Sequence, residues 1–379
     1  HYQFWPTILA LHKLGAVVIP ATCQLMSHDF VYRFKAGDVK MLVCTADGEV
    51  AAEADAAEKE MLEQGGEKLI KLIVNGKRDG WREFDAEYPA YSASYARPDE
   101  APGGDDPMLM FFTSGTTSYP KMALHSFKYA LGHYVTAKYW HLVERDGLHF
   151  TMAETGWGKA LWGKLYGQWL CEGAVFTYDF DRFDAADILP MFAKYGITTF
   201  CAPPTMLRMM IKQDISKYDF SSVKHMTTAG EALNPEVYRQ FEKATGLQII
   251  EGFGQTESTM IIGNMVGASH KIGSMGKPAP IYNVELIDPD GNPVGKLHSG
   301  EIGIVYGLGN VPIGHVLGNM GLVPRRIEPG RLRTPLITVQ VIPEKPEQMQ
   351  ALHHACDILS GEDPLLQVQY IRTPPSGFS

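Results

Sequence analysis

The sequence predicts an α/β fold with parallel sheets flanked by helices over residues 1–296, followed by a small α+β or β segment over residues 297–379. Three observations predict it. Up to about residue 290, short apolar runs alternate with helix-length amphipathic stretches, the pattern of a parallel sheet covered by helices. A chain of 379 residues exceeds one ordinary core and asks for more than one domain or subdomain. From about residue 297 the texture changes to strand, helix, strand.

The opening HYQFWPTILALHKLG reads as a helix already under way rather than a signal peptide, with the natural beginning of the protein expected upstream. Strands are expected at AVVIP (16–20), KMLVCT (40–45), LIKLIV (69–74), MLMFFT (108–113), AVFTYD (174–179), TTFCAP (198–203) and HMTTAG (225–230). The stretch 88–107 carries Pro, Gly, Ser and acids without apolar period and reads as a linker or surface crossing. A helix is expected around Thr205 to Lys212. Another starts at Asn234-Pro235-Glu236, which supplies an N-cap, a proline at the first helical position and a first-turn carboxylate. NVELIDPDGNPV then predicts an antiparallel strand entering an Asp290-Gly291 turn, a change of architecture near residue 285.

Composition narrows the function. The net charge is -9, from 34 Lys+Arg against 43 Asp+Glu, which disfavours a nucleic-acid partner because phosphate neutralisation needs a basic surface. A small-molecule substrate is expected instead. The five cysteines are scattered and never spaced as CxxC, so neither a disulfide framework nor a zinc ribbon is indicated, and a cytoplasmic location is expected. The apolar-rich stretch 188–211 is broken by Lys194, Arg208 and two prolines, so no membrane span is expected.

The chemistry is concentrated in MLMFFTSGTTSYPK (108–121). A buried strand runs into a turn rich in hydroxyls: Thr113, Ser114, Thr116, Thr117 and Ser118, with Gly115 for close approach and Lys121 as a point charge. Such a turn can hold a polyphosphate with amides, hydroxyls and a cation. It is not a Walker loop, because Lys121 follows a proline and no helix starts there in the GxxxxGK[ST] manner.

The ordered run TSGTT followed by PK resembles the phosphate loop, TSGTTGxPK, of the AMP-forming, adenylate-forming enzymes, with Ser118 where that family usually has glycine. Two further segments are similar to the family's nucleotide site and stand in the right order. In TTAGEALNPEV (227–237), the resemblance sets Gly230, Glu231 and Ala232 along the adenine. In EGFGQTEST (251–259), it sets Glu251, Gly252 and Phe253 beside the adenine, Thr256 at the α-phosphate and Glu257 on Mg²⁺.

The run MAETGWGKALWGKLYGQWLCEGA (152–174) resembles acyl-CoA synthetases for medium-chain or other short acyl groups. By that similarity Trp157 borders the acyl pocket, while the residue type alone also suits core packing. The resemblance covers residues 1–296 and implies the large N-terminal domain of an adenylate-forming enzyme, an AMP-forming acid–thiol ligase using ATP, Mg²⁺, CoA and a carboxylic acid. Lys121, Thr256 and Glu257 are the residues it makes catalytic. The family's YxTGD segment and its C-terminal catalytic lysine have no recognisable counterpart, so a truncated body with impaired thioester formation is expected.

Residues 300–319 and 332–370 instead resemble the junction of the second and third domains of elongation factor G and tetracycline-resistance ribosomal protection proteins, through Pro335, Leu336, Val341, Pro343, Lys345-Pro346-Glu347-Gln348 and Asp363-Pro364-Leu365-Leu366. That resemblance implies a fusion joined near residue 297 and offers the alternative function of a ribosome-associated translation GTPase relative.

Overall fold

The computed structural model describes residues 1–113, 120–180 and 182–284, together with Leu352. The chain divides into two compact units, His1–Asn283 and Val284–Ser379. The strand and turn expected at 283–294, and the elongation-factor-like segment of 297–379, lie outside the described residues apart from the first two positions and Leu352.

The first unit opens with α1 (Phe4–Lys13), α2 (Ser27–Ala36), β1 (Met41–Thr45), α3 (Val50–Glu63), β2 (Ile70–Val74), β3 (Arg82–Glu83) and α4 (Phe84–Glu87). It continues through β4 (Pro107–Thr113), β5 (Lys121–Ser126), α5 (Lys128–Tyr139), β6 (Leu148–Thr151), α6 (Gly158–Lys164), α7 (Tyr166–Leu170) and β7 (Ala174–Phe176). It closes with α8 (Ala185–Ile188), α9 (Met191–Tyr195), β8 (Thr199–Cys201), α10 (Pro204–Met210), β9 (His225–Thr228), α11 (Pro235–Thr245), β10 (Ile249–Gly254), β11 (Met260–Gly263) and β12 (Lys277–Pro278).

These elements build three sheets. The largest has the order β12-β11-β10-β9-β8-β6-β7. Its strands β7, β6, β8, β9 and β10 are parallel, and β11 and β12 return antiparallel at one edge. Beside it Phe150, Phe192, Phe200, Phe220 and Phe241 form an aromatic core with the faces of α8 to α11. The helix expected after Asn234 is α11: the Asn234 side chain accepts the Glu236 N–H at 2.8 Å, and Val237, Tyr238 and Phe241 supply its buried face. A second, three-stranded parallel sheet, β1-β2-β3, packs on α2 and α3 through Phe30, Phe34, Ala54 and Ile73.

The third sheet corrects the sequence reading. MLMFFT does form a strand, but β4 pairs antiparallel with β5, from Pro107 opposite Ser126 to Thr113 opposite Lys121. A parallel crossover needs roughly a dozen residues, more than separate Thr113 from Lys121. AVVIP is reduced to a single bridge between Val18 and Leu109, closed by Val18 N–H to Met108 O at 3.0 Å and Met110 N–H to Val18 O at 2.8 Å. Pro20, without an N–H, cannot extend that ladder. The strands β5, β6 and β10 were not read from the sequence.

Candidate nucleotide site

Parallel sheets bind ligands beyond the carboxyl ends of their strands, and parts of two segments singled out in the sequence leave those ends. Ala229 to Ala232 leave β9, and Gln255, Thr256 and Glu257 leave β10. The hairpin β4–β5 presents its loop at Thr113 and Lys121. Ser114, Gly115, Thr116 and Thr117 lie outside the described residues. The flanks of that loop are held: the Thr113 hydroxyl donates to the Lys121 carbonyl at 3.4 Å, and the Tyr32 hydroxyl of α2 donates to the Pro120 carbonyl at 2.8 Å. Lys121 itself is exposed.

The first turn of α6 touches β4, the turn after β10 and the turn after β9. A Cβ placed on Gly158 would lie 3.9 Å from both the Phe111 ring of β4 and the Thr256 Cα. The next residue, Lys159, is half-buried and its Nζ donates to the Ala229 carbonyl at 2.6 Å. Burial pushes the Lys159 ammonium below the usual lysine range, with Cys201 and Glu231 acting the other way. From the hairpin, the His125 ring donates through Nε2 to the Thr256 carbonyl at 2.8 Å. Phe111 of β4, Thr256 after β10 and Ala229 after β9 therefore all meet the first turn of α6.

Within that region the expected residues play different parts. Glu251 is buried within β10, opposite Thr228 of β9. Burial raises its carboxyl above the usual range, while the N–H groups of Leu233 and Gly273 oppose the shift by donating to it. Because Leu233 follows Ala232, Glu251 ties the two segments assigned to the adenine together. Glu231 turns its carboxylate to α10, accepting the Thr205 hydroxyl at 2.6 Å with Arg208 at 3.6 Å. Gly252 and Gly254 admit tryptophans: a Cβ would meet the Trp140 ring at 2.7 Å and the Trp162 ring at 2.0 Å respectively. Phe253 is partly buried opposite Ile262 of β11.

Glu257 is exposed at the turn after β10. Among the described residues no group of three or more His, Cys, Asp or Glu converges as a metal cage. One carboxylate beside substrate phosphate oxygens and water suits magnesium, which dehydrates reluctantly. Trp157 is 59% exposed, so it is not packed in the core. Two open surface clefts, of about 390 Å³ beside the end of α1 and about 370 Å³ at the amino ends of β9 and β10, contain none of these residues.

Sequence reasoning missed Lys159 and His125. Lys159 had a signal, a lysine directly after the Trp157-Gly158 step at the start of an apolar run. His125 had none, since only the fold brings it to Thr256.

The AMP-binding enzyme family matches residues 1–307. Human acyl-coenzyme A synthetase ACSM4, mitochondrial, is 37% identical over 303 residues, covering 80% of this chain and 51% of that protein. Rat acyl-coenzyme A synthetase ACSM3, mitochondrial, is 36% identical over 304 residues, again 80% and 51%. The chain thus spans about half the length of the curated relatives it matches. A solved acyl-CoA synthetase from Brucella canis superposes with a TM-score of 0.66 at 25% identity, covering 76% of this chain and 52% of that one. The anthranilate CoA ligase AuaEII, solved with anthranoyl-AMP, shares the fold at a TM-score of 0.67 and 23% identity, covering 74% and 54%.

Two expectations change. The cytoplasmic location does not stand, because the matched relatives are mitochondrial proteins; scattered unpaired cysteines describe any reducing compartment and do not separate one from another. The elongation-factor reading of the tail gains no support, and the family match runs through residues 297–307, which that reading had claimed. Among the described residues no helix is long and apolar enough to cross a membrane. With its match from residue 1 to residue 307, the chain belongs to the AMP-binding enzyme family.

Proposed function

We propose that this chain carries the nucleotide- and acid-binding body of an AMP-forming acid–thiol ligase, which converts a short- or medium-chain carboxylic acid to its acyl-adenylate and then to the acyl-CoA. The observation that carries the reading is the convergence at α6: Gly158 lies between Phe111 and Thr256 while Lys159 reaches Ala229. Three segments far apart in sequence thereby meet one helix start, which supports the reading. The matched relatives are named mitochondrial acyl-CoA synthetases, and a mitochondrial location is proposed with the activity.

A carboxylate is a poor electrophile because its charge is shared by two oxygens. In the first half-reaction a carboxylate oxygen attacks the α-phosphorus of ATP, the α–β phosphoanhydride bond breaks, and pyrophosphate leaves. In the second, the CoA thiolate attacks the acyl carbonyl and AMP departs. Both steps gather negative charge, so catalysis depends on donors and cations placed where that charge develops. Thr113 and Lys121, at the two ends of the 114–120 loop, would hold the departing pyrophosphate together with Ser114, Gly115, Thr116 and Thr117. Thr256 would orient the α-phosphate, and Glu257 would hold Mg²⁺. The ion, when bound, supplies charge neutralisation across the phosphates. Gly230, Glu231, Ala232, Glu251, Gly252 and Phe253 would flank the adenine, and Trp157, at the entry to α6, would border the acyl chain.

Calorimetry with ATP and Mg²⁺, followed by a hydroxamate assay with butyrate and octanoate, tests both halves. Saturable ATP binding with acyl-hydroxamate from a fatty acid is the expected result. Absence of ATP binding overturns the reading, and hydroxamate formed from an amino acid but not from fatty acids reassigns the substrate.

A further inference from the structure

Four contacts close a ring around the turn after β10. The His125 imidazole, only 7% exposed, bonds through Nε2 to the Thr256 carbonyl at 2.8 Å. A carbonyl only accepts, so Nε2 carries the proton. The same ring stacks on Tyr129 with centroids 3.9 Å apart and an interplanar angle of 27°. The Tyr129 hydroxyl accepts from the Trp162 indole nitrogen at 3.1 Å. The Trp162 ring in turn fills the space where a Gly254 Cβ would stand, 2.0 Å from it. From Gly254 the chain returns in two residues to Thr256.

Beyond the ring, the far end of the turn is tied as well. The Thr259 N–H donates to the Tyr282 hydroxyl at 2.9 Å, and the Thr259 hydroxyl lies 3.0 Å from the same oxygen. The turn is therefore pinned at Gly254, at the Thr256 carbonyl and at Thr259, while the Glu257 side chain is exposed. Of these pins, the His125 bond acts on the peptide that joins Thr256 to Glu257. Its direction sets where both side chains start. Burial lowers the His125 pKa, with the Thr256 carbonyl and Glu257 opposing.

We infer that His125 is a positioning residue: through its bond to the Thr256 carbonyl it orients the Thr256–Glu257 peptide toward a magnesium-bound nucleotide. The inference rests on the nucleotide reading above for its ligand and on the contacts just given for its geometry. It assigns the histidine no proton transfer.

Two variants separate the hydrogen bond from the packing. His125→Phe keeps a flat ring on Tyr129 and loses the donor; His125→Gln keeps an N–H donor at similar reach. Amide hydrogen exchange of residues 254–259 is measured in the nucleotide-free protein, and the MgATP dissociation constant and acyl-hydroxamate formation are measured alongside. His125→Phe is expected to speed exchange in this turn and weaken MgATP binding by about tenfold, the size of one lost hydrogen bond. His125→Gln is expected to restore both to within about threefold. The inference is overturned if His125→Phe exchanges and binds as the parent does, or if His125→Gln is as impaired as His125→Phe. If the parent protein itself binds no ATP, the ligase reading falls, and the exchange rates alone decide whether His125 orients the turn.

Discussion

Thr113 and Lys121 face each other as the last cross-strand pair of the β4–β5 hairpin, with the Thr113 hydroxyl donating to the Lys121 carbonyl. The pair fixes the two ends of the intervening loop at adjacent points, and the proposed function makes Lys121 the cation for the departing pyrophosphate. Lys121→Ala is expected to slow acid-dependent ATP–pyrophosphate exchange by about 100-fold, the scale seen when one donor to developing charge is removed. Because Lys121 is exposed, its circular dichroism and unfolding midpoint should match the parent. Unchanged exchange would remove Lys121 from the leaving-group site.

Glu257 is exposed on a turn whose backbone is pinned on both sides. Glu257→Gln preserves volume and removes the charge a magnesium ion would meet. The Mg²⁺ concentration for half-maximal adenylation should rise at least the roughly tenfold that losing even an outer-shell partner costs. Titration of activity with Mg²⁺ at fixed ATP reads this directly, and an unshifted curve would place the ion elsewhere.

Gly254→Ala tests the packing beneath the turn. Its new methyl would meet the Trp162 ring at 2.0 Å and the Thr259 carbonyl at 2.6 Å. Overpacking of this kind costs about 1–3 kcal/mol, and urea unfolding should show the loss as a lower midpoint at an unchanged slope. Nucleotide binding should fall further than stability, since displacing Trp162 also releases Tyr129 and His125.

Acid should unfold the protein through its buried histidines. His133 is fully buried with neither ring nitrogen hydrogen-bonded, and burial lowers its pKa to about 3. His149, between the hydroxyls of Thr199 and Thr151 at 2.7 Å each, is likewise held down to about 3. Below pH 6.5 the unfolded chain takes up protons that the folded one does not, so stability falls as pH drops from 6.5 toward 3. Each such histidine adds about 1.4 kcal/mol per pH unit to that slope. His133→Leu removes one contribution and a pair of unsatisfied polar atoms; denaturant titrations at pH 5 and pH 7.5 should show a gentler acid slope without loss of stability at the higher pH. An identical slope would mean that His133 is not buried as a neutral ring.

The order of the elements was legible wherever apolar runs stand between polar punctuation. The runs in KMLVCT, LIKLIV and HMTTAG became β1, β2 and β9, and Asn234 capped α11 through the bond its sequence position implied. Strand β10 was not legible. IIEGFG carries a glutamate and two glycines that disfavour a strand by composition, yet Glu251 is buried accepting main-chain amides and the glycines leave room for Trp140 and Trp162. Tertiary context there reverses local preference. The candidate site divides in the same way: motif residues such as Thr256 and Glu257 were singled out from their order along the chain, whereas His125 and Lys159 owe their places to contacts spanning 131 and 70 positions.

Those spans bear on how the protein becomes competent. Closing a loop of 131 residues is slow compared with zipping a hairpin, because its entropy is lost before the contact that rewards it. The β4–β5 ribbon can therefore form early while the Thr256 turn is still undocked. During refolding from denaturant, recovery of far-ultraviolet ellipticity should run ahead of the recovery of ligand affinity, and the interval between the two would time the docking of β10 against the hairpin.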